Sequence, residues 1–174
     1  MANLESLGIS IPLSDERLAR IREAFPDINV VVELDLARLP ESFANVDAFV
    51  GRTRHVGLLP DAPRLRWIQT LTAGADGVSF DELQERDITF TNGSGIHAPN
   101  IAEHLLALML MFSRNMRELL RAQDRHDWLE DSPQFELLGQ TVCIVGLGDI
   151  GLALAERANA IGMRVTGVRR RDLP

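Results

Sequence analysis

Lysine and tyrosine are absent from this 174-residue chain, and all 18 of its basic residues are arginine. Without lysine, the chain cannot form a Schiff base, and it cannot contain the lysine-bearing P-loop of many nucleotide hydrolases. Without tyrosine, it also lacks the Tyr/Lys proton relay that short-chain dehydrogenases use. These absences exclude several common kinds of catalytic and phosphate-binding site.

Cysteine is nearly absent as well. Cys143 is the only one, which excludes an intramolecular disulfide and a cysteine-based zinc cluster, and we predict no metal site. Because Cys143 lies between Val142 and Ile144, we expect a packed strand residue rather than a reactive thiol.

The chain has an excess of acidic residues and a formal net charge of −7. Such a field repels phosphate, so we predict no nucleic-acid partner and no contact with an anionic membrane. The first ten residues lack the basic start of a signal peptide. The most apolar run, residues 101–112, contains Glu103 and His104 and is too short to span a bilayer. We therefore expect a cytoplasmic protein.

Helical and strand patterns alternate along the first hundred residues. Ser14 can cap a helix over residues 15–25, in which Leu18 and Ile21 share one face. Short apolar runs predict buried parallel strands at residues 29–32, 47–50, 67–71 and 88–91. Further helices are expected near Pro63 and over residues 80–86. This alternation predicts an α/β domain.

A polar, glycine-rich segment over residues 92–100 is a hinge candidate. A long helical pattern then runs from Pro99 to about Gln123, and it is apolar on every side over residues 101–112. A helix of this kind must be buried on every side, so we expect it to lie between domains or between subunits. We accordingly expect a homodimer.

Residues 146–151, Gly-Leu-Gly-Asp-Ile-Gly, form the G-x-G-x-x-G pattern. The pattern is weak by itself because glycine-rich turns are common. Here a predicted strand precedes it at 141–145, a helix follows at about 150–161, and a second strand follows at 163–168, which makes the prediction specific.

In such a βαβ unit each glycine has a physical task. Gly146 makes the tight turn, Gly148 lets the backbone approach a pyrophosphate, and Gly151 lets the helix and strand pack closely. The N–H groups at the start of the helix, at Asp149 and Ile150, then face the phosphate. We predict a dinucleotide site, and the alternative is a βαβ unit that binds nothing.

The second strand of this unit is followed by arginines. An NAD-preferring site usually places an acidic residue there, against the ribose hydroxyls. This chain has Arg169, Arg170 and Arg171 instead, and an arginine could donate charge-assisted hydrogen bonds to a 2′-phosphate. We therefore predict NADP as the cofactor, with NAD as the alternative; solvated arginines in a loop would explain the same residues.

Four segments together resemble the D-isomer-specific 2-hydroxyacid dehydrogenase family. They are residues 66–76 (Arg-Trp-Ile-Gln-Thr-Leu-Thr-Ala-Gly-Ala-Asp), residues 91–93 (Thr-Asn-Gly), residues 101–104 (Ile-Ala-Glu-His) and the glycine loop. The likeness spans most of the chain. It implies a flavodoxin-like substrate domain followed by the first βαβ unit of a Rossmann cofactor domain, and we place the boundary between residues 1–97 and 98–174.

The resemblance also implies a function. In this family a hydride passes between a nicotinamide cofactor and a small 2-oxo or 2-hydroxy acid. By position, the backbone amides of Gly74 and Ala75 would hold the substrate carboxylate, and Arg52 would lie near the substrate's side chain. A turn with free N–H groups is a physically sensible carboxylate site, although an ordinary strand-to-helix turn would explain the same residues.

The family's catalytic Arg, Glu and His follow the second Rossmann strand, and the chain contains no counterpart of them. We therefore predict no catalytic residue in these 174 residues. His97, His104 and His126 are expected to be structural or exposed. His55, near Arg52 and Arg54 after a strand end, is expected to be a surface-loop residue, and the alternative is that it lines the cleft. Half of a Rossmann sheet would leave apolar residues such as Ile144 and Val168 uncovered.

The sequence thus predicts the N-terminal part of an NAD(P)-dependent oxidoreductase acting on a small 2-oxo acid, inactive by itself. The alternative is a non-catalytic truncated module that binds nucleotide or dimerises through residues 101–112. A different Rossmann enzyme, such as a methyltransferase, is a remote third interpretation, because the segment over residues 67–76 does not fit it.

Overall fold

The computed structural model describes residues 4–59 and 62–170. The chain divides into two compact units, Met1–Ser94 and Gly95–Pro174. No helix in the described part of the chain has the length and apolar character needed to cross a membrane.

The first unit alternates strands and helices, as predicted. Its strands are β1 (Ser6–Ile9), β2 (Asn29–Val32), β3 (Ala48–Gly51), β4 (Trp67–Thr70) and β5 (Thr89–Thr91). Its helices are α1 (Asp15–Ala24), α2 (Leu39–Ser42), α3 (Thr53–Val56) and α4 (Phe80–Glu85). The strands are all parallel in the order β2-β1-β3-β4-β5, which is the flavodoxin-like order. The predicted α/β class is confirmed. Ser14 caps α1 by accepting a hydrogen bond from the N–H of Arg17.

Strand β1 was not predicted. Residues 63–64, where a helix was expected, form a turn, and the short helix α3 lies about ten residues before them. β1 is only four residues long and contains Gly8, which weakens any strand pattern. The structure shows why a glycine is suitable there: a Cβ at position 8 would lie 2.9 Å from Cδ1 of Phe43. The missing side chain lets the Phe43 ring pack directly on β1.

The core of this unit has one apolar cluster on each face of the sheet. Phe49 belongs to the cluster that contains Phe43 and Ile68. Its neighbour Val50 packs against the other cluster, around Ile9. Adjacent residues of a strand point to opposite faces, so β3 is covered by side chains on both sides.

A polar clamp fixes the start of β1. The buried carboxylate of Asp47 accepts hydrogen bonds from the N–H of Ser6 at 2.8 Å, the N–H of Glu5 at 3.0 Å and Nε of Arg64 at 2.9 Å. Burial by itself raises the pKa of Asp47, but the hydrogen bonds from Arg64, Ser6 and Glu5 outweigh it and hold the pKa below the ordinary 3.8.

The second unit has two long helices, a shorter helix and a pair of strands. They are α5 (Ala98–Ser113), α6 (Met116–Asp124), β6 (Thr141–Val145), α7 (Asp149–Ala160) and β7 (Arg164–Val168). β6 and β7 pair in parallel, so β6–α7–β7 is the predicted βαβ unit.

The continuous helix predicted from Pro99 to Gln123 is wrong, because it breaks between α5 and α6. Asn115 takes a left-handed conformation with φ of 48°, which asparagine tolerates better than most residues. Its side chain donates to Oγ of Ser132 at 3.0 Å. Within this chain the helix is not buried on every side either, since Phe112 is 78% exposed.

Among the described residues, one face of the β6–β7 pair is covered and the other is exposed. Ile144 is buried in a cluster with Ala102 of α5 and Leu154 of α7. Cys143 points to the opposite face and is exposed, so the expectation of a packed cysteine is wrong. Ile144 was expected to be uncovered and is buried instead, whereas Val168 is 55% exposed, as expected.

Candidate functional site

An open groove of about 320 Å³ lies where β3 and β4 end in the first unit. Ligands of open parallel sheets bind outside the carboxyl ends of the strands, near the point where the strand order reverses. In this sheet the order reverses between β1 and β3. The groove is lined by Arg52, Thr53, Arg54, Thr72, Gly74 and Asp76.

The structure therefore brings together Arg52 and Gly74, which the sequence predicted to share a substrate site. Hydrogen bonds fix the turn after β4 from several directions. Oγ1 of Thr53 donates to the carbonyl of Gly74 at 3.0 Å, and Thr53 also contacts the hydroxyl of Thr72. Nδ2 of Asn92 donates to the carbonyl of Ala73 at 2.8 Å.

The carbonyls of Ala73 and Gly74 thus accept hydrogen bonds. Within residues 4–59 and 62–170, the backbone N–H groups of Gly74 and Ala75 donate to no acceptor. Successive N–H groups of this kind form a concave site for an anion. Arg52 and Arg54 make the groove cationic, and Asp76 offsets one of their charges.

The prediction that His55 is a surface-loop residue is wrong, because this residue is only 4% exposed. It lies on α3, and its Nδ1 is 2.8 Å from Oγ of Ser10, which is also buried. Burial of the ring, together with the charges of Arg54 and Arg52, holds the pKa of His55 below the ordinary 6.5. The imidazole is therefore neutral at pH 7.

The glycine loop of the second unit has the backbone geometry that its pattern requires. Gly146 adopts φ of +100°, which L-residues rarely take. Its N–H donates to the carbonyl of Val168 at 2.8 Å. A Cβ at position 151 would lie 2.1 Å from the carbonyl oxygen of Gly146 and 3.3 Å from Cγ2 of Ile144. Only glycine fits at positions 146 and 151 without rearrangement.

Gly148 differs from these two glycines. It is the N-cap of α7, it has negative φ, and among the described residues nothing lies within 4 Å of the position its Cβ would take. The open space lies at the N-terminus of a twelve-residue helix, where N–H groups and the helix dipole favour an anion. This geometry fits a pyrophosphate. Asp149, in the first turn of α7, adds a negative charge, while Ile150 is 38% exposed.

Arg169 and Arg170 follow β7 directly and are exposed. The hydrogen bond from Gly146 to Val168 places this end of β7 beside the glycine loop. The third arginine, Arg171, lies outside the described residues.

The three remaining histidines all belong to the second unit. His97, His104 and His126 are exposed, as expected. In the part of the chain that the structure describes, no histidine lies within ion-pair distance of an acidic side chain. Glu103, the neighbour of His104, pairs instead with Arg157 at 3.5 Å.

Sequence reasoning missed Ser10, Thr53, Arg54, Thr72 and Asp76 as parts of the groove or its support. Arg54, Thr72 and Asp76 flank residues that were identified, so their proximity was a usable signal. Ser10 follows the unpredicted β1 and lies 45 positions from His55. Nothing in the local sequence pattern links the two.

The chain is similar in sequence to a family model and to known dehydrogenases and reductases. Residues 106–174 match the family model "D-isomer specific 2-hydroxyacid dehydrogenase, NAD binding domain". A D-3-phosphoglycerate dehydrogenase from Methanocaldococcus jannaschii is 29% identical over 167 residues, covering 91% of this chain and 31% of that protein. A glyoxylate/hydroxypyruvate reductase B from Salmonella newport is 31% identical over 156 residues, covering 84% of this chain and 48% of that protein. The chain thus spans about a third to a half of the length of these curated relatives.

A solved structure shows the same fold. A D-isomer specific 2-hydroxyacid dehydrogenase family protein from Aeromonas salmonicida superposes with a TM-score of 0.78 at 24% identity, covering 97% of this chain and 56% of that one. The family-model match and the curated relatives confirm the resemblance that the motifs predicted, and the solved structure shows the same fold.

Proposed function

We propose that this chain provides the substrate groove and the pyrophosphate loop of an NAD(P)-dependent oxidoreductase that acts on a small 2-oxo or 2-hydroxy acid. One observation carries the proposal: a cationic groove with unpaired N–H groups and a glycine loop suited to pyrophosphate occur in a chain whose residues 106–174 match an NAD-binding domain. In this assignment residues 1–97 are the substrate domain, and residues 98–174 are the interdomain helix and part of the cofactor domain.

The groove is assigned to the acid. The N–H groups of Gly74 and Ala75 bind the substrate carboxylate, and Arg52 lies near the remainder of the substrate. A backbone N–H that donates to an ionised carboxylate makes a charge-assisted hydrogen bond, which is stronger than one between neutral groups. The relatives named for glyoxylate and hydroxypyruvate reduction support a small 2-oxo acid.

The glycine loop is assigned to the cofactor. Gly146, Gly148 and Gly151 shape the backbone, and the N–H groups of Asp149 and Ile150 bind the pyrophosphate. When bound, the dinucleotide supplies or accepts the hydride. The residues of the chain hold and orient it, and the exposed end of β7 faces its adenosine half.

NADP is proposed over NAD. Positions 169–171, directly after Val168, are all arginine, and Arg169 and Arg170 stand where an acid would bind the ribose hydroxyls of NAD. Titration of the chain with NADPH and NADH, followed by nucleotide fluorescence, tests this. We expect NADPH to bind about tenfold more tightly, a difference of about 1.4 kcal/mol. Arg169→Gln should remove the preference, and Arg164→Gln, at the opposite end of β7, should leave it. Equal affinities for NADPH and NADH would contradict the NADP assignment.

We place no catalytic residue in these 174 residues, and we propose that the chain binds its ligands without turning them over. Incubation with NADPH and glyoxylate tests it: the absorbance of NADPH should stay constant. Oxidation of NADPH by the purified chain would show that a catalytic group is present.

The second candidate is a non-catalytic module that binds nucleotide or dimerises. Exposed apolar residues at the end of α5 favour it, above all Phe112, whose ring meets Phe135 edge-on at 5.9 Å. Light scattering tests whether the chain is the expected homodimer, with Phe112→Asp as the variant that should yield monomer. A native monomer would contradict the homodimer. The cytoplasmic location stays a prediction.

A further inference from the structure

The segment that carries Arg52 and Arg54 is anchored on two sides. Thr53 donates to the carbonyl of Gly74 at 3.0 Å, which ties the segment to the turn after β4. His55 reaches in the other direction, to Ser10 at the end of β1. Thr53 lies between the two arginines that line the groove, and His55 directly follows the second of them. The position of these arginines is therefore set by residues that do not themselves carry charge at pH 7.

The two nitrogens of His55 have different partners. Nε of Arg54 lies 3.4 Å from Nε2 of His55 and donates to it, because a guanidinium can only donate. In the neutral ring the hydrogen must then be on Nδ1, which donates to Oγ of Ser10 at 2.8 Å. A chain of hydrogen bonds thus runs from the buried end of β1 to a cation at the groove.

Close packing holds this chain of hydrogen bonds in place. A Cβ at position 51, at the end of β3, would lie 2.3 Å from Oγ of Ser10 and 2.3 Å from Cζ of Phe49. Gly51 therefore allows the serine hydroxyl to sit directly against the strand that leads into the groove. Neither Ser10 nor His55 is among the residues that line the groove.

We propose that Ser10 and His55 are positioning residues that fix the Arg54 guanidinium at the groove, where it binds a second anionic group of the substrate. This inference rests on the proposed function of the groove. It goes further by assigning roles to Ser10, His55 and Arg54, and by narrowing the acid to one that carries a second negative charge, such as a dicarboxylate or a phosphorylated 2-oxo acid.

Calorimetric titration of the chain with two probes of equal carbon number tests the proposal. The probes are 2-oxoglutarate, a dianion, and 2-oxopentanoate, a monoanion. The native chain should bind the dianion more tightly. Arg54→Gln and His55→Asn should each weaken 2-oxoglutarate binding by about three- to tenfold, the range for one hydrogen bond, and should change 2-oxopentanoate binding little. Arg20→Gln, which removes an exposed arginine of α1, is the matched charge control.

The double variant separates positioning from structural damage. If His55 acts through Arg54, then Arg54→Gln/His55→Asn binds 2-oxoglutarate as Arg54→Gln alone does. His55→Gln should recover most of the affinity, because its amide oxygen can accept from Arg54 in place of Nε2. Thermal unfolding of each variant confirms that folded protein is being titrated.

The outcomes are distinct. If the native chain binds both probes and His55→Asn matches it, or if the two losses add, the positioning role is overturned and the groove keeps its proposed function. If the native chain binds both probes equally, the claim that Arg54 binds a second anionic group of the substrate is overturned. Binding of neither probe overturns the proposed function of the groove, and this inference with it.

Discussion

The two compact units of the chain cover their sheets differently. In Met1–Ser94 the strand β3 is packed on both faces, and Phe43 and Phe49 are fully buried. In Gly95–Pro174 the described residues cover one face of the β6–β7 pair, and Val145 on the other face is 85% exposed. The groove of the first unit is therefore built on a rigid core, whereas the glycine loop of the second is shaped mainly by local backbone geometry.

This difference shows that the two candidate sites depend on different residues. A groove at the end of a packed sheet is lost when the core is damaged, even far from the groove. A glycine loop is lost when one backbone contact changes, even with the core intact. Substitutions test that distinction, and their expected effects on the free energy of unfolding decrease from Phe49 to Asp47, Gly151 and His55.

Phe49→Ala should have the largest effect. The ring is 0% exposed and meets Phe43 edge-on at 5.8 Å, so its removal should lower the free energy of unfolding by about 3–5 kcal/mol. Val145→Ala is the control in the second unit and should change it by less than about 0.5 kcal/mol. Urea unfolding followed by far-UV circular dichroism, which reports on the helices of both units, measures both. Similar losses of unfolding free energy in the two variants would contradict the proposed difference between the two units.

Asp47→Ala should rank second. Two backbone N–H groups and Arg64 lose their acceptor, at a cost on the order of 2–3 kcal/mol. The pKa of Asp47 is held below 3.8, so the carboxylate stabilises the fold above that pH. This contribution is lost as pH falls from 3.8 through the lower pKa of the folded state. Acid titration of native chain and Asp47→Asn should show the loss in the native chain alone, and identical curves would contradict the clamp.

Gly151→Ala should destabilise the second unit by about 1–3 kcal/mol, because its Cβ collides with the carbonyl of Gly146. It should also abolish dinucleotide binding. Gly148→Ala sharpens the test: its Cβ meets nothing described within 4 Å, so the fold should survive while the methyl group obstructs the pyrophosphate. Unfolding and NADPH titration of both variants give the answer. Normal NADPH binding by Gly148→Ala would contradict the assignment of the loop.

The pH dependence that comes from His55 should be the smallest effect. Its folded pKa lies below 6.5, so the neutral ring stabilises the first unit above pH 6.5. This stability is lost as pH falls from 6.5 through the folded pKa, and no further loss from His55 follows below it. Unfolding measured across this window should show a decline that His55→Asn lacks. A decline of equal size in the variant would assign it to other groups.

Parts of this structure were predictable because their signals are local. The glycine loop combines a strand, three glycines and a helix within thirty residues, and Gly146 and Gly151 have the geometry that the pattern implies. Other parts depend on distant contacts. β1 is short and contains Gly8, and it is recognisable as a strand only through its pairing with β2 and β3. His55 is buried because Ser10, 45 positions away, gives it a partner. The break at Asn115 depends on a backbone conformation that helical periodicity does not reveal.

The measurement that tests the central claim most directly is a residue-resolved NMR titration of the native chain with NADPH and then with oxamate, an unreactive analogue of a 2-oxo acid. NADPH should shift the amide signals of Gly146, Gly148 and Ile150. Oxamate should shift those of Gly74 and Ala75. Shifts at these positions would support a chain that holds both ligands of a 2-hydroxyacid dehydrogenase. Saturable binding at other residues, or no shifts at all, would contradict it.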